Sequence, residues 1–409
     1  MNVTGIIAEY NPFHNGHLYQ IHKIKELNDS LIIAVMSGSF TQRGETAIFD
    51  KWLRAESAVK SGCDIVLELP FVFACRSAQD FARGGVTLLN RLGVVTQLAF
   101  GAECADLSIL QNIALQLDDK TFQGKLHAHI ASGLSYAQAI SAALDSDSEI
   151  ATLIKQPNNI LAIEYLRSLH LLNSDIRPLL IPRQGAGYHE KELTGALASA
   201  TAIRHVLYHG ENLSDLKVTL PPASQELTRH FLTSQLPKIN QLYLPLQAKL
   251  LTSQLPDLQN IYGINEGLEN RILDHAKTAG SWPELIQAVT TKRYPASRIA
   301  RTLLCLLLGI DKKSIAQFDQ SGPLYARLLA ASPQGKEHLH QIKKQATIPL
   351  ITKTSQYLTT NKRREALTSL TPLEKMLRLD TIATEMRSLT CNVPAPRNDF
   401  QQSPIFSQT

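Results

Sequence analysis

Five cysteines in 409 residues (Cys63, Cys75, Cys104, Cys305 and Cys391) are odd in number, widely spaced and never form a CxxC pair. That pattern argues against a disulfide framework or a zinc ribbon and fits a reducing cytoplasm. Long apolar runs are also missing. The densest, Leu303 to Leu308, falls far short of the ~20 residues that span a bilayer. The N-terminus, MNVTGIIAEYNP, has neither a basic segment nor a long apolar one, so neither export nor a membrane span is expected. No repeat, low-complexity block, H-E-x-x-H motif or RNA-recognition signature occurs. Charge of one sign is only slightly in excess: 41 Lys and Arg against 36 Asp and Glu give +5, which permits a polyanionic partner without demonstrating one.

What remains is an ordinary globular composition, 44% hydrophobic and 19% charged, on a chain long enough for two cores. Val3 to Ala8, Leu31 to Met36, Ile65 to Leu69, Gln97 to Phe100 and Pro178 to Ile181 are apolar runs of strand length, separated mostly by helix-like segments such as Asp50 to Ser61 and Ala78 to Arg91. Continuous runs such as LIIAV suit strands covered on both faces, so the expected fold is α/β with a Rossmann-like doubly wound parallel sheet. Beyond about Asn240 strand-like runs become scarce. Leucine-rich helical spacing dominates at Glu269 to Ala276, Trp282 to Val289, Ala296 to Leu308 and Pro372 to Leu389. The expected organisation is a catalytic domain over 1–220, ending at LPPA, a mainly helical domain over 221–392, and a loosely held tail over 393–409.

The stretch FHNGHLYQIHKIKEL is the most specific local signal. A helix beginning near Gly16 or His17 would leave His14 and His17 in the turn between the first strand and that helix. In an open α/β sheet this is where ligands bind, and a helix N-terminus offers unpaired N–H groups suited to phosphate. Gly16 would let an anion approach the backbone, and two imidazoles could donate to phosphate oxygens during displacement at phosphorus. A zinc site would need further ligands that the neighbourhood lacks, and none is expected. From the residues alone the expectation is ATP binding with chemistry at the α-phosphorus.

Other segments support that reading or a blander one. SATAIR places Ser199 and Thr201 before Arg204, either as an ordinary N-cap or as a second phosphate contact. Gly101 follows the strand QLAF and reads otherwise as a turn glycine. Asn158 follows Pro157 at a helix start, where capping explains it locally, and Asn159 could exchange roles with it. Arg183 follows the strand PLLIP, where it could reach phosphate or solvent. Gln42, Arg43 and Glu45 form a polar loop after the second strand.

The strings GIIAEYNPFHNGH, MSGSFTQRGE, DIVLELPF, FGAE, QPNNILAIEYL, AGYHE and SATAIR, in that order, resemble the bacterial tRNA(Met) cytidine acetate ligase family within the HxGH nucleotidylyltransferase superfamily. The likeness runs through most of residues 1 to 205. It thins afterwards to EGLENRI and TKRYPASRIARTLLCLLLGI, with Pro295 and Ala296 where hydroxyl residues are expected. It implies an ATP-dependent ligase that converts acetate to acetyl-adenylate and acetylates the wobble cytidine of elongator tRNA(Met), with Mg²⁺ accompanying ATP. It implies His14 and His17 as catalytic residues. The ATP site would comprise Ile7, Ala8, Glu9, Tyr10, Asn11, Pro12, Phe13, His14, Asn15, Gly16, His17, Leu18, Tyr19 and Gln20, with Gly101, Asn158, Arg183, Ser199, Thr201 and Arg204. Gln42, Arg43 and Glu45, with Tyr188 and His189, would neighbour acetate or cytidine. Lys292, Arg293, Arg298, Lys362, Arg363 and Arg364 are the expected tRNA contacts, with Arg301, Lys312, Lys313, Lys343 and Lys344 as further candidates. Two other readings stay open: a nucleotidylyltransferase making an adenylylated cofactor, and an RNA-binding adaptor. The sequence names no base for the cytidine step and gives no oligomeric state.

Overall fold

Residues alternate strictly along the central strands, and both faces are covered. The computed structural model describes residues 2–132, 134, 136–143, 152–183, 197–210, 213–229, 235–393 and 397–407. β1 (Asn2–Ala8) pairs in parallel with β2 (Ser30–Ser37), with Ile6 opposite Ala34. Leu31, Ile33 and Val35 enter one apolar cluster, and Ile32, Ala34 and Met36 enter the other. Helices α1 (Asn15–Leu27) and α2 (Lys51–Lys60) cover the second face with Ile21, Ile24, Trp52 and Ala55, while α3 (Ala78–Arg91) and α4 (Pro157–Leu171) cover the first. Each fully buried aliphatic side chain contributes about 1.5–3 kcal/mol. This two-sided burial explains why the strands read as unbroken apolar runs.

With β3 (Ile65–Leu69), β4 (Gln97–Ala102) and β5 (Arg177–Pro182), the parallel part has the order β5-β4-β1-β2-β3. The chain therefore reverses direction across the sheet between β1 and β4, the switch point where such sheets open a crevice at their carboxyl ends. All five expected strands are present.

The sheet continues where no strand was expected. β6 (Ala326–Ala331) joins β3 antiparallel, and β7 (Leu350–Ile351) and β8 (Ile405–Phe406) pair in parallel with β6. An arginine inside ARLLAA disguised β6. Arg327 is buried between Glu68 and Asp399, and Lys51 lies 2.7 Å from a carboxylate oxygen of each of the same two residues. Asp399 belongs to the tail expected to be loose, yet it is buried because it neutralises two interior cations. The sheet thus draws strands from beyond residue 220. LPPA does not interrupt packing either: Pro222 opens the helix Pro222–Arg229, and Leu220 and Leu227 share a small core with Ile203, Leu207, Ile48 and Phe49. The long helices of the later part begin and end close to the expected positions, including α6 (Ala296–Leu308) and α7 (Pro372–Leu389).

Candidate active site

The turn after β1 is held by its own apolar and polar residues. Tyr10 adopts a positive φ of 47°, a conformation that costs on the order of 1–3 kcal/mol, and its ring is buried 4.8 Å from Phe13. Asn11 accepts a 2.7 Å hydrogen bond from the Ile48 N–H, while its side-chain amide nitrogen is buried without a protein partner among the described residues. α1 then starts with His14 as its N-cap. The Gly16 N–H donates to His14 Nδ1 (3.0 Å), and the His14 N–H donates to His17 Nδ1 (3.2 Å). This is a capping box in which both polar members are imidazoles.

That cap settles the tautomers. With both Nδ1 atoms accepting, each neutral ring carries its proton on Nε2. Burial, followed by the charges of Arg183 and Arg204, pushes His14 down to about 3; burial, then His14 and Arg183, also lowers His17. Two neutral rings, centroids 3.9 Å apart, therefore present Nε2–H donors in a pocket lined also by Arg43, Arg183 and Arg204. The glycine of the motif has a local reason. A Cβ at Gly16 would lie 2.8 Å from His14 Cε1, so Gly16 makes room for the imidazole, and it does not itself line the cavity.

The cavity sits at the switch point. Its lining includes Ile7, Ala8, Glu9, Tyr10, Asn11, His14, His17, Gln20, Gly101, Asn158, Arg183, Ser199, Thr201 and Arg204 from the expected set. Pro12, Phe13, Asn15, Gly16, Leu18 and Tyr19 do not line it. Phe13, Leu18 and Tyr19 pack in the second core, Asn15 donates to the Val218 carbonyl (2.7 Å), and Pro12 is buried in the turn. Ser199 caps α5 (Ala200–His209), accepting from the Ala202 N–H, and also faces the cavity, so both readings of that serine hold. Arg204 donates to the Asn11 carbonyl (2.9 Å) and lies 3.4 Å from both Thr201 Oγ1 and Glu45 Oε2.

On the β4 side, Asn158 is not the cap of α4. Gln156 holds that position and Pro157 is the first helical residue. Asn158 instead donates to Glu103 Oε1 (2.6 Å), while its carbonyl oxygen lies 3.5 Å from Arg183 Nη1. Asn159 is wholly buried, donating to the Leu153 carbonyl and accepting from the Cys104 N–H, so the two asparagines do not exchange roles. Glu103 was missed although it closes the FGAE string. Phe81, Phe100, Leu161 and Tyr165 complete this wall; they look like ordinary core residues in sequence.

On the β2 side, the loop over residues 38–50 brings Gln42, Arg43 and Glu45 to the same cavity. Two buried arginines missed in the sequence hold this loop. Arg54 donates to the carbonyls of Glu9 (2.5 Å), Ser37 (3.0 Å) and Phe49 (3.1 Å), and Arg387 of α7 donates to those of Ala47 and Ile48. Gly44, at φ +77°, packs where a Cβ would meet the Arg301 nitrogen at 2.9 Å, and Arg301 Nη1 donates to the Gln42 carbonyl. α6 therefore backs the loop that carries Gln42, Arg43 and Glu45 to the cavity.

Tyr188 and His189 lie outside the described residues. The six expected tRNA contacts lie away from the cavity lining. Lys292 and Arg364 are exposed, Arg293 pairs with Glu266, Arg298 lies over Tyr294, Lys362 pairs with Glu374, and Arg363 stacks on Phe400. Among the described residues no group of three His, Cys, Asp or Glu could hold a metal ion, and no helix is long and apolar enough to cross a membrane.

The family model described as HIGH Nucleotidyl Transferase matches residues 1–403. A tRNA(Met) cytidine acetate ligase of Syntrophomonas wolfei is 38% identical, covering 99% of each chain. The crystal structure of apo TmcAL from Thermotoga maritima superposes with a TM-score of 0.90 at 34% identity, and the same protein bound to alpha-thio ATP with 0.87 at 33%, each covering 99% of both chains. With its HNGH turn at the switch point and this likeness along its whole length, the chain belongs to the HIGH nucleotidyl transferases and, among them, to the tRNA(Met) cytidine acetate ligase family.

Proposed function

We propose that the protein is an ATP-dependent ligase that activates acetate as acetyl-adenylate and transfers the acetyl group to N4 of the wobble cytidine of elongator tRNA(Met), releasing pyrophosphate and AMP. The observation that carries this reading is the pair of neutral imidazoles, both with Nε2–H donors, at the start of α1 beside Arg183 and Arg204. Acetate has no leaving group. Attack of its oxygen on the α-phosphorus of ATP supplies one, and that step needs positioning and charge stabilisation rather than a protein nucleophile. The imidazoles would donate to the α-phosphate oxygens, and Ser199, Thr201 and Arg204 would receive the β- and γ-phosphates. Asn158 and Arg183 would hold the nucleotide on the β4 side. Among the described residues the carboxylates that line the cavity are those of Glu9 and Glu45, so Mg²⁺ arriving with ATP would ride mainly on phosphate oxygens. The exposed cations Lys292 and Arg364, with Arg293, Arg298, Lys362 and Arg363, would meet tRNA phosphates.

Acetate-dependent exchange of labelled pyrophosphate into ATP, then transfer of labelled acetyl to elongator tRNA(Met), tests both halves. Exchange followed by RNA labelling is the expected result. Formation of a stable adenylylated small molecule instead, with no RNA labelling, would overturn the ligase reading.

A further inference from the structure

The cytidine step requires something the adenylation step does not. The exocyclic N4 of cytosine is weakly nucleophilic and must lose a proton as it is acylated, and the groups already assigned cannot take it. In the unliganded tautomers both imidazoles spend Nδ1 as acceptors and carry hydrogen on Nε2, so neither has a lone pair facing the cavity. Arg43, Arg183 and Arg204 are cations. Glu45 is half exposed and opposed by Arg204 at 3.4 Å. Tyr10 points away to Cys63.

Glu9 is different. It stands one residue past the end of β1, lines the cavity, and receives a 2.7 Å hydrogen bond from the Gln42 N–H on Oε1; among the described residues no donor reaches its other oxygen. Its position is fixed from behind by Arg54, which donates to the Glu9 carbonyl, and its donor partner Gln42 is fixed by Arg301, which donates to the Gln42 carbonyl. It therefore lies on the β2 flank of the cavity, the side against which α6 packs, whereas Gly101, Asn158 and Arg183 occupy the β4 flank. A base admitted over the loop that carries Gln42 would meet Glu9 in the cavity.

Resting on the ligase reading, we infer that Glu9 is the general base of acetyl transfer. The N4 lone pair forms the bond to the acyl carbon, the acyl–oxygen bond to AMP breaks with its electron pair leaving on AMP, and the N4 proton passes to the free oxygen of Glu9. Burial, the largest influence, raises the Glu9 carboxyl above its ordinary range, towards the neutral pH at which a base is most effective. The charges that face it are Arg43 and Glu45 from the loop over residues 38–50, Arg204 from α5 and the buried Arg54 from α2, and burial outweighs them; Tyr165 on α4 and Cys75 after β3 also sense it.

The test uses the full chain with elongator tRNA(Met) and chemically prepared acetyl-adenylate, so that the first half-reaction is bypassed, alongside acetate-dependent pyrophosphate exchange. Glu9→Gln keeps an oxygen for the Gln42 N–H and removes only the basic one. The ratio of transfer to exchange should fall on the order of 10²–10⁴-fold, and the acid limb of the transfer rate, which declines as the carboxyl protonates, should vanish. Glu9→Asp should restore that limb with part of the rate. Equal losses in both half-reactions, a larger loss in exchange, or an acid limb abolished by Glu45→Gln instead would overturn the assignment. If the wild-type protein performs neither exchange nor transfer, the ligase reading itself fails, and that failure is visible without any variant.

Discussion

The HNGH turn and the Lys51, Glu68, Arg327 and Asp399 cluster both bury polar groups, but they are assembled and satisfied in opposite ways. The turn comes from a few consecutive residues. Each ring spends Nδ1 on a backbone N–H of the turn and keeps Nε2–H for the cavity that both line, so the polar capacity left over is available to a ligand. The cluster joins Lys51 of α2 and Glu68 of β3 to Arg327 of β6, 259 positions beyond Glu68, and to Asp399 of the tail, and its two cations pair with its two carboxylates. At the turn the unspent donors face a cavity, whereas in the cluster opposite charges close on one another in the interior and tie distant parts of the fold together. The neighbouring Asp380, pushed up to about 8 by burial and by Glu68, accepts from Tyr325 and from the Phe71 N–H, and extends the second arrangement into α7.

Breaking the cluster should cost the most. Asp399→Ala leaves two cations in the interior with one carboxylate and should destabilise the protein by roughly 3–5 kcal/mol, read from denaturant unfolding. A loss under ~1 kcal/mol would show that the tail carboxylate is dispensable. At the turn the deficit should appear in rate. His17→Ala removes one donor and should slow pyrophosphate exchange by about 10²–10³-fold, roughly 2.7–4 kcal/mol, while tRNA affinity changes little. Equal loss of both would remove the separation between cavity and RNA surface. Gly16→Ala sharpens the point, because it displaces His14 without deleting a polar group; exchange should fall about tenfold, ~1.4 kcal/mol. Neutralising Lys362, Arg363 and Arg364 together should weaken tRNA binding and flatten its salt dependence, by about one unit of log–log slope per lost phosphate contact. An unchanged slope would take this segment out of the interface.

The comparison also makes a pH prediction. Because the folded-state pKa of His14 lies near 3, below the ordinary 6.5, its neutral form contributes stability that is complete above 6.5 and declines as pH falls towards 3. Exchange should therefore show no inflection near 6.5 from this ring. An inflection there that His14→Gln abolishes would mean that the imidazole works as a cation.

What could be read in the sequence follows the same division. The five parallel strands and the turn were legible because each is a local pattern: apolar runs covered on both faces, then a strand–turn–helix with two histidines. Arg204 and Arg183 were found by motif and position at strand and helix ends. Arg54, Arg387 and Glu103 were not, since each acts through partners distant in sequence and resembles a solvated helix or loop charge. β6 was hidden by Arg327 and the folded tail by its prolines and polar residues, because a charge looks like surface until its partner is known. The expected cap role of Asn158 failed for a related reason: local rules allow it, but Glu103 claims the side chain.

Asp399 also carries a consequence for the order in which the protein matures. Synthesis delivers Lys51 and Glu68 long before Arg327, and Arg327 before Asp399. The pair formed by Lys51 of α2 and Glu68 of β3 therefore waits, only partly matched, until more than three hundred further residues have emerged. A fragment ending at residue 220 or 392, however sensible as a unit of sequence, would lack the carboxylate that completes the interior. Expressed alone, it should behave as an unfinished nucleotide-binding half, and residue 399 should act as the last step of assembly.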